Sequence, residues 1–105
     1  LQKNTEAVEA LGRAAKLAPD QARFSYVYGV ALSSTGKADE ALSVLRKAHE
    51  RHSGDAEILF ALVTMNRDRG EYGEASRYGR RLLKLRPGDA SLERLVAELE
   101  AAIRK

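Results

Sequence analysis

The sequence contains no cysteine and no tryptophan, and only two prolines and eight glycines. Without cysteine there is no disulfide scaffold, no thiol nucleophile and no thiolate-ligated zinc or iron–sulfur site. No apolar run approaches the roughly 20 residues that cross a bilayer, so no membrane partner is expected. No signal peptide is visible, and a chain that begins at Leu1 reads as one that has lost its original start. Neither feature separates a cytoplasmic from a periplasmic location. A large excess of one charge is also missing. Eighteen basic and 15 acidic side chains leave +3 over 105 residues, which favours solubility without implying nucleic acid as a partner. What is plentiful is Ala, Leu, Glu, Lys and Arg, the residues that favour helix, in a length suited to one domain.

Self-similarity organises the rest. Gly36/Gly70, Glu40/Glu74, Leu11/Leu45, Ala14/Ala48 and Asp55/Asp89 all lie 34 positions apart. The series Ala7/Ala41/Ala75, Ala22/Ala56/Ala90 and Pro19/Ser53/Pro87 keep the same offset. So many coincidences at one spacing mark a repeat. They divide the chain into part of a unit (1–21), two full units (22–55 and 56–89) and a closing helix (90–105).

Each unit reads as two helices. Phe24, Tyr28, Ala31 and Leu32 recur at i, i+4, i+7 and i+8, the stripe of an amphipathic helix. Gly36 then suits the left-handed conformation that ends a helix. A second helix follows from about Ala38 to His52, with Ala41, Leu42, Val44, Leu45 and Ala48 inward. Asp55 and Asp89 are placed to cap the helices after them. In the second unit Ile58, Leu59, Leu62, Val63 and Met65 form the first stripe; Tyr72, Ala75, Tyr78, Leu82, Leu83 and Leu85 follow in the partner helix. Nothing alternates with a period of two, so no sheet is predicted. Gly79 falls in mid-helix, where it costs about 1 kcal/mol relative to Ala, and a looser second unit is expected.

Three constellations have the right residue types for chemistry and the wrong context. Ser33-Ser34-Thr35-Gly36-Lys37 lacks the spacing and the preceding strand of a phosphate loop. His49 and His52 have no further ligands for a metal and read as an exposed pair. Arg77, Arg80, Arg81 and Lys84 share one helix face, and the Arg77–Arg86 stripe could meet nucleic acid or another polyanion, though a solvated outward face is the simpler reading. No catalytic set emerges, so the chain is not expected to be an enzyme, and no metal or cofactor is expected.

Two helices in each repeat of this length resemble the tetratricopeptide repeat (TPR), whose pattern runs W-x2-L-G-x2-Y, A-x3-F and P. Tyr28-Gly29-x2-Leu32, Ala41-x3-Leu45 and Ala48 carry the resemblance in one unit; Leu59-x2-Leu62-Val63, Ala75 and Pro87 carry it in the other. The opening segment adds Ala7-x3-Leu11, Ala14 and Pro19. Ser25 departs by replacing the large aromatic, and Asn66 falls at another aromatic position. The resemblance implies an all-α fold, a right-handed superhelix of antiparallel helix hairpins, closed here by a C-terminal capping helix. The run Arg23–Leu32 is also similar to the C-terminal repeats of longer bacterial proteins that carry multihaem cytochrome modules upstream.

In that family the first helices line a concave groove that takes a peptide or partner helix. The inner positions carry over to Arg23, Tyr26, Val30, Ser33 and Ser34, and to Glu57, Phe60, Thr64, Arg67 and Asp68. Tyr26 and Phe60 are matched aromatic anchors; Arg23 and Arg67 could orient a partner carboxylate. The clamp for chaperone tails is not expected, because Tyr26, Val30, Phe60 and Thr64 replace its Lys and Asn. The function implied is a protein–protein interaction module, with polyanion binding or a purely structural spacer as alternatives. Residues 3–18 resemble a second helix without its first, so weak self-association through that end is expected.

Overall fold

The computed structural model describes the backbone of residues 2–104 and the side chains of residues 5–104. It is all-α: α1 (Gln2–Leu17), α2 (Ala22–Ser34), α3 (Ala38–Arg51), α4 (Ala56–Asp68), α5 (Tyr72–Leu85) and α6 (Ala90–Arg104). Contacts along the chain divide it into two compact units, Leu1–Ile58 and Leu59–Lys105, with the boundary inside α4.

The helix ends follow from local chemistry. Gly36 and Gly70 take φ of 84° and 79°, a region that other residues avoid. There the N–H of Lys37 donates to the Leu32 carbonyl at 2.9 Å, and that of Glu71 to the Asn66 carbonyl at 2.9 Å, satisfying carbonyls the helices leave orphaned. Asp55 Oδ1 accepts from the Ile58 N–H at 3.0 Å, and Asp89 Oδ1 from the Leu92 N–H at 3.1 Å. Both carboxylates therefore cap as the sequence led one to expect.

In the first unit α2 packs against both α1 and α3. Of the stripe expected on α2, Leu32 is buried, Tyr28 and Ala31 are half-buried and Phe24 is exposed; Gly29 is buried as well, and Ser25 is half-buried. A Cβ on Gly29 would lie 2.7 Å from Leu45 Cγ, so the glycine is what lets α2 approach α3 this closely. Leu42, Leu45 and Ala48 bury the facing side of α3. Val8 and Leu11 of α1 are half-buried, whereas Leu17 is 85% exposed.

In the second unit Leu59, Leu62 and Val63 of α4, Ala75, Tyr78 and Leu82 of α5, and Leu92, Val96 and Leu99 of α6 are buried. Tyr72 and Leu85, expected inward, lie exposed at the two ends of α5. Gly79 plays a different part from the one its helix propensity suggests. A Cβ there would meet Val96 Cγ2 at 2.8 Å, so the glycine permits the contact of α5 with α6 and offsets its conformational cost.

Asn66 is the exception in the core. It is 1% exposed, its Nδ2 donates to the Leu62 carbonyl at 2.7 Å, and its Oδ1 has no partner. A buried acceptor left unpaired costs about 1–3 kcal/mol. Its counterpart one repeat earlier is the buried Leu32. Asn66→Leu is therefore expected to stabilise the protein by about 1–2 kcal/mol, read as a raised urea midpoint at constant slope. A lowered midpoint would mean that an ordered water already satisfies the amide.

Candidate interaction surface

The residues singled out for partner binding fall on two first helices. On α2, Arg23, Tyr26, Val30 and Ser33 follow at i, i+3, i+7 and i+10, which places them along one face. Val30 is exposed, and Tyr26 and Ser33 are half-buried. The Arg23 guanidinium stands over the Tyr26 ring at 5.5 Å and donates to both Glu57 carboxylate oxygens at 3.1 and 3.2 Å. Arg23 and Glu57 occupy the same position of successive repeats, and Glu57 stands where it screens the guanidinium from a partner's carboxylate. Both are more than half exposed, so the pair contributes at most about 1 kcal/mol and can be exchanged for an incoming acid.

On α4, Phe60, Thr64 and Arg67 follow at i, i+4 and i+7. Thr64 Oγ1 donates to the Ala61 carbonyl at 3.2 Å, and Arg67 pairs with its neighbour Asp68 at 3.1 Å. Phe60 is 49% exposed although it is a large aromatic. It stands at the lip of a cleft of about 200 Å3 within the second unit, walled by Leu82, Leu92 and Leu95, with Arg86 at its edge. The sequence does not mark the cleft as a site, because α6 reads there only as a cover; the one signal is Leu95, apolar on a helix already supplied with Leu92, Val96 and Leu99.

The basic stripe is largely engaged. Arg77 pairs with Glu74 at 2.7 Å, Arg80 Nε donates to Glu100 at 2.6 Å, and the Arg81 guanidinium lies 5.7 Å from the Tyr78 ring centre. His52 is not a solvated ring: its Nε2 donates to the Pro19 carbonyl at 3.0 Å, tying the turn after α1 to the end of α3. Among the described residues, no group of three or more His, Cys, Asp and Glu could hold a metal ion, and no helix is long and apolar enough to cross a membrane.

Repeated helix pairs with small residues at their crossings define a class, the helical repeat proteins. One family model described as tetratricopeptide repeat matches residues 1–56, and a second with the same description matches residues 32–99. The chain belongs to the tetratricopeptide repeat family. Among solved structures it is similar to MamA of AMB-1, with 25% identity and a TM-score of 0.78. That likeness covers 94% of this chain and 59% of the MamA chain. No curated protein matches the sequence. The family and the fold together make the chain an all-α, TPR-like protein-interaction module.

Proposed function

We propose that the chain binds a peptide or partner helix through its first-helix faces, with Phe60 and Tyr26 as apolar anchors. The observation that carries this is Phe60: a half-exposed aromatic beside an apolar cleft with room for one incoming side chain. Aromatic anchors of this kind dominate binding energy at protein interfaces. Arg23, Val30, Ser33, Glu57, Thr64 and Arg67 supply the polar and apolar surroundings. The same reading makes the chain a binding part of a longer repeat protein, in which MamA, extending beyond the aligned region, is the comparison. Self-association through α1 belongs to it as a weak accessory contact, supported by the exposure of Leu17.

Peptides selected from a displayed library against the whole protein test the proposal. Their affinity is expected to fall about tenfold or more on Phe60→Ala, by the usual cost of losing an interface anchor, with the melting temperature nearly unchanged. Selected peptides that bind Phe60→Ala and Tyr26→Ala as tightly as the parent would place the partner elsewhere. A library that yields no binder would favour the spacer.

A further inference from the structure

The first unit contains a larger concavity that none of the proposed anchors enters. Helices α1 and α3 wall a groove of about 670 Å3, and Ser25, Tyr28 and Leu32 of α2 form its floor. That volume lies within the range of small-ligand and side-chain pockets. It exists because of particular residues. Ser25 stands where Leu59 stands 34 positions later, and Leu59 is 1% exposed, filling its own surroundings completely. Serine leaves most of that space empty. Gly12 on the α1 wall adds no side chain, and the Tyr28 ring lies against it, 3.0 Å from where a Cβ would be.

The chemistry of the lining is divided. Val8, Val44, Leu32 and the Tyr28 ring make the interior apolar. The hydroxyls of Ser25 and Tyr28 reach it with no hydrogen-bond partner among the described residues. Around the rim are five cations and two carboxylates, Glu9 and Glu40, a balance of +3 in a chain whose total is +3. The cations Arg13, Lys16, Lys47 and Arg51 gather where α1 and α3 end. Among the described residues, only Arg51 of these four is ion-paired, to Asp20 at 3.2 Å.

We propose that this groove is a second docking site, taking an acidic peptide segment that inserts one large apolar side chain over Ser25. Its carboxylates then meet Lys16 and Lys47, and its inserted group contacts Tyr28 and Val44. Apolar lining from Val8, Val44 and Leu32 under a cationic rim selects for both properties together, because a polyanion alone would leave that lining uncovered and an uncharged apolar group would leave the rim unpaired. The site is independent of the first-helix anchors, since Tyr26 and Phe60 do not line it.

The probe is a short fluorescent peptide rich in glutamate with one central phenylalanine, followed by anisotropy on the whole protein. Two further peptides replace the phenylalanine by alanine or the glutamates by lysine. The first peptide is expected to bind in the micromolar range, and each change to weaken it by about tenfold or more. Ser25→Phe fills the floor from within, and is expected to weaken binding by about tenfold or more while the melting temperature holds or rises. The surface pair Lys16→Glu/Lys47→Glu is expected to do the same and to flatten the salt dependence. Tyr26→Ala and Phe60→Ala are expected to leave this binding unchanged, which separates it from the first-helix reading. The proposal is overturned if the acidic peptide fails to bind at millimolar concentration, if the lysine peptide or heparin binds equally well, or if Ser25→Phe binds as the parent does.

Discussion

Removal of residues 90–105 is expected to abolish cooperative unfolding of the second unit and to leave it prone to aggregation. Helix α6 buries Leu92, Val96 and Leu99, and each such side chain contributes about 1.5–3 kcal/mol when withdrawn from water. The three together approach the whole stability of an ordinary domain, about 5–15 kcal/mol. On the side of α5, the buried Tyr78 and Leu82 would in addition lose cover. Arg80 and Ser76 would also lose Glu100, to which both donate. In this reading α6 caps the array, turning Glu93, Arg94 and Glu98 outward and its apolar side to α5. Circular dichroism melting with light scattering is the measurement. A truncated chain that melts like its parent would show that α6 is dispensable.

The second large effect concerns one contact in the first unit. Leu45→Ala is expected to cost about 2–5 kcal/mol, because Leu45 is fully buried and its removal leaves a cavity. Gly29→Ala alone is also expected to destabilise. The new Cβ would stand 2.7 Å from Leu45 Cγ and 2.8 Å from its Cδ2, and Cγ moves only if this fully buried side chain leaves its χ1 rotamer or the helices shift. Overpacking of this kind costs about 1–3 kcal/mol, more than the roughly 1 kcal/mol that alanine gains over glycine in a helix. The double variant is where the two effects separate. With Leu45 shortened, the methyl added at Gly29 has space, so Gly29→Ala should become neutral or stabilising in the Leu45→Ala background. Urea denaturation of the parent, both single variants and the double variant gives the coupling, expected at about 1–3 kcal/mol in the favourable direction. Additive effects would mean that α2 and α3 simply move apart.

Gly29 and Gly79 show what a single sequence discloses. Gly29 was legible as a close crossing because its position repeats a known pattern and a packed helix tolerates glycine only with a reason. Gly79 has no such pattern, so its propensity cost was visible while its contact with Val96, on the following helix, was not. The helices themselves were legible almost to the residue, because the repeat spacing, the caps at Asp55 and Asp89 and the turns at Gly36 and Gly70 are local signals. Side-chain pairing was harder. Arg23 and Glu57 are opposite charges one repeat apart, a hint available in the sequence, yet each alone resembles a solvated side chain. The groove over Ser25 was legible only as a missing aromatic. A void is a relation among three helices, and no periodicity records it.

The caps carry a consequence for the way the chain acquires its structure. Asp55 meets an N–H three residues on, and Lys37 meets a carbonyl five residues back, so each start and stop signal is complete within two turns of chain. The principal partner of α2 is the helix directly after it, and that of α5 likewise. Folds built from such neighbouring contacts have low contact order and reach the native state in about microseconds to milliseconds. Synthesis, by contrast, delivers roughly 5–20 residues each second. A hairpin of α2 and α3 can therefore close while α5 is still unmade, and the ribosome, not the search for contacts, sets the order in which these repeats form.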